Sequence, residues 1–457
     1  MRKAAQVKAV GITAEYNPLH NGHVYHIGKA KELSGCDAAV VAMSGDFVQR
    51  GAPATADKWT RAEHALRCGA DLVIEIPVLH CLGNAGQYGA AGVKLLEAAG
   101  VSCISFGSES GNADALTGTA AFIKEHRDEM DGLIAAHSRS GLSYPAARAK
   151  AFEELGGGRE GLAVLSNPND VLAVEYIMAM DRAVPVPVKR EGAGYHDAAG
   201  GSNAFMSATG IRDLMRIAGT DGILSTGGKG PEGRAAGLIA SYVPACVLKD
   251  LPDAGTMEER EQRLFDLVRY AAMSTPADVI DDCPSGGEGL GNLLKTEVRQ
   301  AEDPDDLILR TKSKRYTYTR ISRLCMQVLL GITRSEYAAA PEMPGYIRVL
   351  GFTEKGRSLL ADLKKDRSDG TAPEPEETGR DAAPVITNIN KERDLISGDA
   401  LKMLELDLRA ADMYNLIAGR SVYGDSDQRQ PCIRLLRTGE PGAQLRIRNG
   451  QKAQDIK

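Results

Sequence analysis

The sequence lacks the features of a membrane or exported protein. It has no run of about 18 or more apolar residues, the length that a membrane-spanning helix requires. Its first residues, MRKAAQVKAVGIT, carry charges but no apolar stretch of signal-peptide length. The cysteines are scattered without a C-x-x-C pair, which argues against a disulfide framework or a zinc site: Cys36, Cys68, Cys81, Cys103, Cys246, Cys283, Cys325 and Cys432. These absences favour a cytoplasmic protein without a bound structural metal.

Other motifs of well-known enzyme classes are also missing. We find no internal repeat, no nucleophile elbow and no reactive-cysteine signature. The stretch STGGKGPEGR lacks the G-x-x-x-x-G-K-[ST] spacing of a phosphate loop and is interpreted as a flexible loop. The formal net charge is −6, so a nucleic-acid partner would have to be held by local basic patches rather than by the whole surface.

The first part of the chain alternates between strand and helix patterns. With 457 residues, two or three domains are expected. The strand candidates are AVGIT, AAVVAMSG, DLVIEIPV and VSCISFGSE, and helical patterns separate them. This order predicts an α/β fold with a parallel sheet, in which ligands bind outside the carboxyl ends of the strands. Polar clusters follow three of these strands: EYNPLHNGH, MSGDFVQRG and FGSES.

Three of the eight histidines, His20, His23 and His26, lie within seven residues at the junction of the first strand and the first helix. A helix N-terminus presents unpaired backbone N–H groups and partial positive charge, which suits phosphate. Imidazoles placed there can donate hydrogen bonds as charge develops on phosphate oxygens. Gly22 allows close approach to the backbone. The alternative is a helix cap that carries solvent-exposed histidines.

The remainder of the chain has a different secondary-structure pattern. From about Leu142 the pattern is mainly helical, with short extended pieces such as VPVPVKREGAGYHD. Residues 364–384 are charged and nearly free of apolar side chains, which predicts a disordered insertion. We therefore expect a catalytic domain over residues 1–220, a helical region over 221–345 and a C-terminal region over 346–457.

Seven motifs in sequence order resemble one known family. They are GITAEYNPLHNGHVYHI, MSGDFVQRGAPA, DLVIEIP, FGSE, GAGYHD, SATGIR and KRYTYTRISRL, with weaker similarity in VLGFTEKG. NPLHNGHVYHI is similar to the H-x-G-H signature of the nucleotidylyltransferase superfamily. The whole set resembles the bacterial tRNA(Met) cytidine acetate ligases. The resemblance implies a parallel-sheet, Rossmann-like nucleotidylyltransferase domain followed by a mostly helical region.

The resemblance also implies an activity and a set of site residues. Such enzymes use ATP to activate acetate as acetyl-adenylate and acetylate the wobble cytidine of elongator tRNA(Met). His20 and His23 would be the catalytic residues, and Mg²⁺ is expected with the ATP phosphates, without identifiable protein ligands. The implied ATP contacts, together with Ser207 and Thr209 of SATGIR, are Thr13, Ala14, Glu15, Tyr16, Asn17, Pro18, Leu19, His20, Asn21, Gly22, His23, Val24, Tyr25, His26, Gly107, Asn169 and Arg190.

Alternatives remain for several of these residues. Asn167 and Asp170 neighbour Asn169, and this group could instead cap the following helix. Ser207 or Thr209 could equally serve as a simple cap. Asp46 and Arg50 of MSGDFVQRG are candidates for substrate contacts at the rim of the sheet, and a structural ion pair is the other interpretation.

One basic segment is a candidate RNA site. ILRTKSKRYTYTRISR holds six Lys or Arg residues and no acid. Basic groups neutralise phosphates and tyrosines can stack on unpaired bases. The alternative is a solvated helix face with buried tyrosines. The proposed tRNA contacts are Lys312, Lys314, Arg315, Tyr316, Tyr318, Arg320 and Arg323.

The sequence thus favours a cytoplasmic, ATP-dependent ligase that acts on tRNA and acetate, not on DNA or membranes. Two alternatives stay open. The first is an adenylyltransferase for a small metabolite of the pantetheine or nicotinamide mononucleotide type. The second is a non-catalytic RNA- or ribosome-binding protein.

Overall fold

The computed structural model describes residues 7–190, 205–218, 231–313, 316–340, 345–368, 383–436 and 446–447. The strands are β1 Ala9–Ala14, β2 Ala38–Ser44, β3 Phe47–Val48, β4 Ala52–Pro53, β5 Leu72–Ile76, β6 Cys103–Ser108, β7 Val184–Lys189, β8 Ile347–Thr353, β9 Val385–Ile386, β10 Ile433–Leu436 and β11 Arg446–Ile447.

Helices account for most of the other described residues. In the first half they are α1 Asn21–Ser34, α2 Lys58–Arg67, α3 Val78–Cys81, α4 Ala85–Ala98, α5 Ala113–Glu125, α6 Arg127–Arg139, α7 Tyr144–Glu154, α8 Arg159–Leu165, α9 Pro168–Ala179 and α10 Ala208–Ile217. In the second half they are α11 Pro231–Tyr242, α12 Ala245–Leu248, α13 Ala254–Ser274, α14 Ala277–Asp281, α15 Leu290–Glu297, α16 Pro304–Thr311, α17 Tyr318–Leu330, α18 Arg334–Ala339, α19 Glu354–Ser368, α20 Ile389–Glu392 and α21 Gly398–Ile417.

The centre of the molecule is one sheet in the order β11-β10-β8-β5-β2-β1-β6-β7, with β9 beside β8. Strands β5, β2, β1, β6 and β7 are mutually parallel. All residues of β2 and β5 are buried, as apolar strands covered by helices on both faces must be. The four predicted strands and the parallel α/β fold are confirmed.

Strands of the C-terminal region extend the same sheet. β8 pairs antiparallel with β5 and parallel with β10. The regions predicted as 1–220 and 346–457 therefore share a sheet. This pairing joins residues almost 280 positions apart, Leu72 and Phe352 for example, so local periodicity carries no signal for it.

Both ends of the predicted insertion 364–384 are part of the folded structure. Residues 364–368 continue α19. At the other end Ala383 is buried, and the carbonyl of Pro384 accepts a hydrogen bond from the N–H of Ile347 at 2.8 Å. Residues 369–382 lie outside the described residues.

A second hydrophobic core lies mainly among helices of the second half of the chain. It includes residues of α13, α15, α16, α17 and α21. The short β3–β4 hairpin connects this core to the sheet. At Gly51, where φ is 83°, a side chain would approach the backbone N of Arg323 in α17 to 2.3 Å, so only glycine fits this contact. The hairpin thus fixes the helical region against the carboxyl end of the sheet.

Candidate active site

The loop between β1 and α1 ends in two histidines whose side chains hydrogen-bond to backbone N–H groups. His20 is the N-cap of α1, with φ −136° and ψ 171°. The Nδ1 atom of His20 accepts from the N–H of Gly22 at 3.1 Å. The Nδ1 atom of His23 accepts from the N–H of His20 at 3.2 Å. The rings stack with centroids 3.7 Å apart. The pair forms a capping box made of imidazoles, so its orientation is fixed by the helix start.

Burial and these contacts also determine the protonation state and the tautomer of the two rings. Burial lowers the pKa of His20 to about 4, and the charge of Arg190 adds to the effect. The pKa of His23 is held well below its ordinary value by burial and then by the neighbouring histidines. Because each Nδ1 accepts a hydrogen bond, the single proton of the neutral ring resides on Nε2. Both rings therefore offer a neutral Nε2–H donor at the N-terminus of a helix.

A cavity of about 1090 Å³ opens in front of this pair. It runs from the β1–α1 loop to the helical region, where α13, α16 and α17 form its far wall. Most of the sequence-predicted residues line it: Thr13, Ala14, Glu15, Tyr16, Asn17, His20, Gly22, His23, Tyr25, His26, Arg50, Gly107, Asn169, Arg190, Ser207, Thr209 and Tyr318.

Four residues of the predicted ATP loop do not line the cavity. Pro18 and Leu19 are buried, and Leu19 belongs to the core beneath the sheet. Val24 packs against the same core. The amide of Asn21 donates to the carbonyl of Ser241 in α11 at 3.0 Å. These residues position the loop rather than face the cavity, because side chains around a helix start project in different directions.

The segment SATGIR is docked onto the β1–α1 loop. Ser207 caps α10 by accepting from the N–H of Gly210 at 3.1 Å, so the cap interpretation of Ser207 holds in the structure. Arg212 donates to the carbonyl of Asn17 at 2.6 Å and to Oγ1 of Thr209 at 3.1 Å. This arginine, buried enough that its pKa is lowered, therefore connects two walls of the cavity.

The third wall comes from β6, β7 and the start of α9. Arg190 donates to Oδ1 of Asn169 at 3.5 Å, and its side chain passes 3.6 Å from the position that a Cβ would take at Gly107. Of the three candidates at this helix, Asn169 faces the cavity. Asp170 is fully buried and bonds to Ser108, and Asn167 bonds to the carbonyl of Ala163.

The actual cap of α9 is a residue that sequence analysis missed. The carboxylate of Glu109 accepts from the backbone N–H groups of Asn169 and Asp170 at 3.3 and 3.0 Å. It also accepts from the Asn169 amide at 2.5 Å, which fixes that side chain at the cavity. Glu109 ends the motif FGSE, but nothing in the local pattern indicates a helix 60 residues later.

The structure contradicts the prediction that Asp46 contacts substrate at the rim of the sheet. Its carboxylate accepts from the backbone N–H of Lys58 at 2.8 Å and lies 3.9 Å from the Lys58 ammonium. It is buried away from the cavity that the histidines face, and burial raises its pKa to about 7. Asp46 thus belongs to a buried charge cluster beneath the hairpin. Arg50, in the same motif, does line the cavity.

Two members of the predicted tRNA segment are engaged inside the protein. Tyr316 is buried, and its hydroxyl donates to the carbonyl of Glu288 at 3.2 Å. Arg320 donates to the carbonyls of Ser285 and Gly286 at 3.0 and 2.9 Å. The burial of Tyr316 contradicts its predicted role in stacking on a base, and both side chains hold the loop before α15.

The other residues of this segment lie in different environments. Tyr318 lines the cavity and donates to Asp305, and Lys312 is exposed. Arg323 is partly buried, and burial lowers its pKa. Lys314 and Arg315 lie outside the described residues, as does the motif GAGYHD.

Two kinds of feature are absent from the described residues. No group of three or more His, Cys, Asp or Glu side chains among them could hold a metal ion. Within the same ranges, no helix combines the length and apolarity that crossing a bilayer would require.

Comparison with known proteins agrees with this geometry. A family model described as HIGH Nucleotidyl Transferase matches residues 7–429. The tRNA(Met) cytidine acetate ligase of Clostridium novyi is 34% identical over 435 residues, which cover 93% of this chain and 99% of that protein. The enzyme of the same name from Caldanaerobacter subterraneus is 34% identical over 438 residues, or 94% of this chain and 100% of that protein.

A solved structure shares the fold. The crystal structure of Thermotoga maritima TmcAL bound with alpha-thio ATP superposes with a TM-score of 0.77 at 29% identity, and the match covers 94% of this chain and 100% of that one. The family resemblance found in the motifs is thereby confirmed. The chain belongs to the HIGH nucleotidyl transferase family and, within it, to the tRNA(Met) cytidine acetate ligases.

Proposed function

We propose that this protein uses ATP to activate acetate and transfers the acetyl group to the wobble cytidine of elongator tRNA(Met). The observation that carries the proposal is the stacked His20–His23 pair, whose residues line a cavity that continues to the helical region. A nucleotidyl transfer needs donors that meet charge as it develops on phosphate, and no protein nucleophile.

The first step joins acetate to the α-phosphate. A carboxylate oxygen of acetate attacks the α-phosphorus, the bond to the bridging oxygen breaks, and pyrophosphate leaves. Neutral imidazoles are suited to this role because a donor that carries no charge in the empty site can strengthen its hydrogen bonds as negative charge grows. Arg190 adds a fixed positive charge close enough to lower the pKa of both histidines.

The second step requires the acetyl-adenylate and a weak nucleophile to meet. The exocyclic amine of cytosine attacks the acetyl carbonyl, and AMP leaves. Holding the two reactants in one cavity is the main contribution the protein can make, because positioning replaces the entropy cost of a bimolecular encounter. The cavity spans both regions of the chain, which supports this role.

Mg²⁺ is proposed to enter with the ATP phosphates rather than on a protein site, in line with the absence of a carboxylate or histidine cluster among the described residues. We propose RNA rather than DNA as the polymer substrate and the cytoplasm as the location, where tRNA and ATP are both present.

The decisive experiment incubates the protein with tRNA, ATP and labelled acetate and analyses the tRNA nucleosides. We expect labelled acetylcytidine in elongator tRNA(Met) only. Pyrophosphate exchange into ATP should depend on acetate. If exchange instead required phosphopantetheine or nicotinamide mononucleotide, the adenylyltransferase alternative would replace this proposal.

A further inference from the structure

We propose that the far wall of the cavity is the subsite that receives the unpaired cytosine base. This wall is made of Arg216, Glu261, Asp305 and Tyr318, and we call it the acceptor wall. The inference rests on the proposed function, and it adds the residues that select the base. Three of the four were not singled out by sequence analysis.

The acceptor wall is assembled from four helices. Arg216 ends α10, Glu261 lies in α13, Asp305 starts α16 and Tyr318 starts α17. All four line the same cavity as His20 and His23. The guanidinium of Arg216 donates to Oε1 of Glu261 from Nε at 3.2 Å and from Nη2 at 3.0 Å. The hydroxyl of Tyr318 donates to Oδ1 of Asp305.

These contacts hold the polar groups in place without neutralising the wall. Each bond engages one oxygen of its carboxylate, and a carboxylate has a second oxygen that can accept. Arg216 is half exposed and Tyr318 is 38% exposed, so both reach the solvent of the cavity. The wall therefore presents carboxylate acceptors, a guanidinium donor and an aromatic face in one place.

This combination matches a cytosine edge. Cytosine offers a donor at N4 and acceptors at N3 and O2. Carboxylates characteristically accept from cytosine N4, and aromatic rings stack on bases that have left a helix. Uracil carries an acceptor, O4, where cytosine has its N4 amine. A carboxylate facing that position repels uracil, so the acceptor wall should distinguish the two pyrimidines.

The charge balance among the residues of the wall itself favours a neutral ligand over a phosphate. Two carboxylates face one guanidinium, and Asp213 lies 3.5 Å from the same guanidinium. A phosphate would meet net negative charge here, whereas a neutral base would not. The histidines and Arg190, which line the same cavity, supply the donors that phosphates need. The nucleotide and the base thus use different residues of one cavity, and the N4 amine, which has two hydrogens, can donate one to a carboxylate while it faces the acetyl-adenylate.

The test measures base preference directly. The probes are two RNA hairpins that differ only in carrying an unpaired cytidine or an unpaired uridine in the loop. The wild-type protein should bind the cytidine hairpin roughly tenfold more tightly, in line with one good base-edge contact. Glu261→Gln and Asp305→Asn should each reduce this preference to about twofold, because an amide can donate to uracil O4 as well as accept.

The same variants separate the two steps of the reaction. Acetylation of tRNA should fall at least tenfold in Glu261→Gln, Asp305→Asn and Tyr318→Phe. Acetate-dependent pyrophosphate exchange should persist, since that step uses other residues of the cavity. The matched control is Glu259→Gln in the same helix, an exposed residue paired with Arg263, and it should change neither the preference nor acetylation.

Two results would overturn the acceptor wall. One is an unchanged preference for cytidine in both Glu261→Gln and Asp305→Asn. The other is a parallel loss of exchange and acetylation in all three variants, which would make the wall part of the nucleotide site. Failure of the proposed function is a different result, because the wild-type protein would then show no acetate-dependent exchange at all, whereas hairpin preference would still report on the wall.

Discussion

Single residues in this site take their properties from the backbone around them. His20 and His23 are ordinary imidazoles, and the N–H groups at the start of α1 give each of them one tautomer and one orientation. Burial then keeps both neutral. The capping contacts and the donor role are therefore inseparable, because the nitrogen that caps is not the nitrogen that donates.

We predict that His20→Ala or His23→Ala lowers acetate-dependent pyrophosphate exchange by about 100-fold, the effect expected when a donor to a transition-state charge is lost. ATP affinity should fall much less. His137→Ala, at a partly buried histidine paired with Glu154 and absent from the cavity lining, is the control and should leave the rate unchanged. Near-normal exchange in both site variants would make the pair purely structural.

Another buried histidine predicts how stability depends on pH. Burial alone lowers the pKa of His80 to about 4, whereas an unfolded histidine titrates near 6.5. Between these values the unfolded chain binds a proton that the folded chain does not, so the free energy of unfolding should fall as pH drops from about 6.5 towards 4.

His80→Gln should remove on the order of 1–2 kcal/mol of the stability that the wild-type protein loses between pH 7 and pH 5. The measurement is urea unfolding of both proteins at the two pH values, so that any packing change cancels in the difference. Equal losses in the two proteins would show that His80 does not contribute to the pH dependence.

At the scale of elements, the sequence predicted structure that depends on neighbouring residues and missed contacts between residues far apart in the chain. The periodicity of β1, β2, β5 and β6 and the position of the histidines between a strand and a helix are properties of short windows, and the structure confirms both. Glu109 capping α9, and β8 pairing with β5, join segments far apart in the chain. Tyr316 was misread because composition cannot say which side of a helix start is buried.

The basic segment can be divided experimentally into binding and structural members. We predict that Lys314→Ala combined with Arg315→Ala weakens tRNA binding and reduces its salt slope by about one unit per lost phosphate contact. Acetate-dependent exchange should persist. The measurement is tRNA affinity at several salt concentrations, and unchanged affinity and slope would remove RNA binding from this segment.

Arg320→Ala should behave differently. Its guanidinium holds the carbonyls of Ser285 and Gly286, so its loss should lower the free energy of unfolding by about 1–3 kcal/mol. Urea unfolding measures this loss. Lys312→Ala, at an exposed neighbour, is the control and should leave stability unchanged.

On the scale of the whole molecule, the C-terminal region completes the domain that carries the site. β8 and β10 continue the sheet beyond β5. Asp427, close to β10, lies beneath the sheet with the ammonium of Lys58 2.9 Å from its carboxylate. The guanidinium of Arg348 in β8 lies 3.4 Å from the same group. The buried carboxylate of Asp427 therefore contacts both α2 and β8, although it lies more than 360 residues after Lys58 in the sequence.

We expect the Asp427 carboxylate to contribute strongly to the stability of this extended sheet. Asp427→Asn keeps the size of the side chain but leaves Lys58 with Glu75 as its close partner and Arg348 short of its counter-ion. Removing one member of a buried ion pair typically costs about 3–5 kcal/mol, since the remaining charge stays desolvated. We expect a loss of that order in urea unfolding. Asp399→Asn, at an exposed pair with Lys402, should change stability by less than about 0.5 kcal/mol. A loss in Asp427→Asn as small as that of the control would mean that Glu75 alone balances the cluster, and that the C-terminal region is held by the sheet and not by this charge.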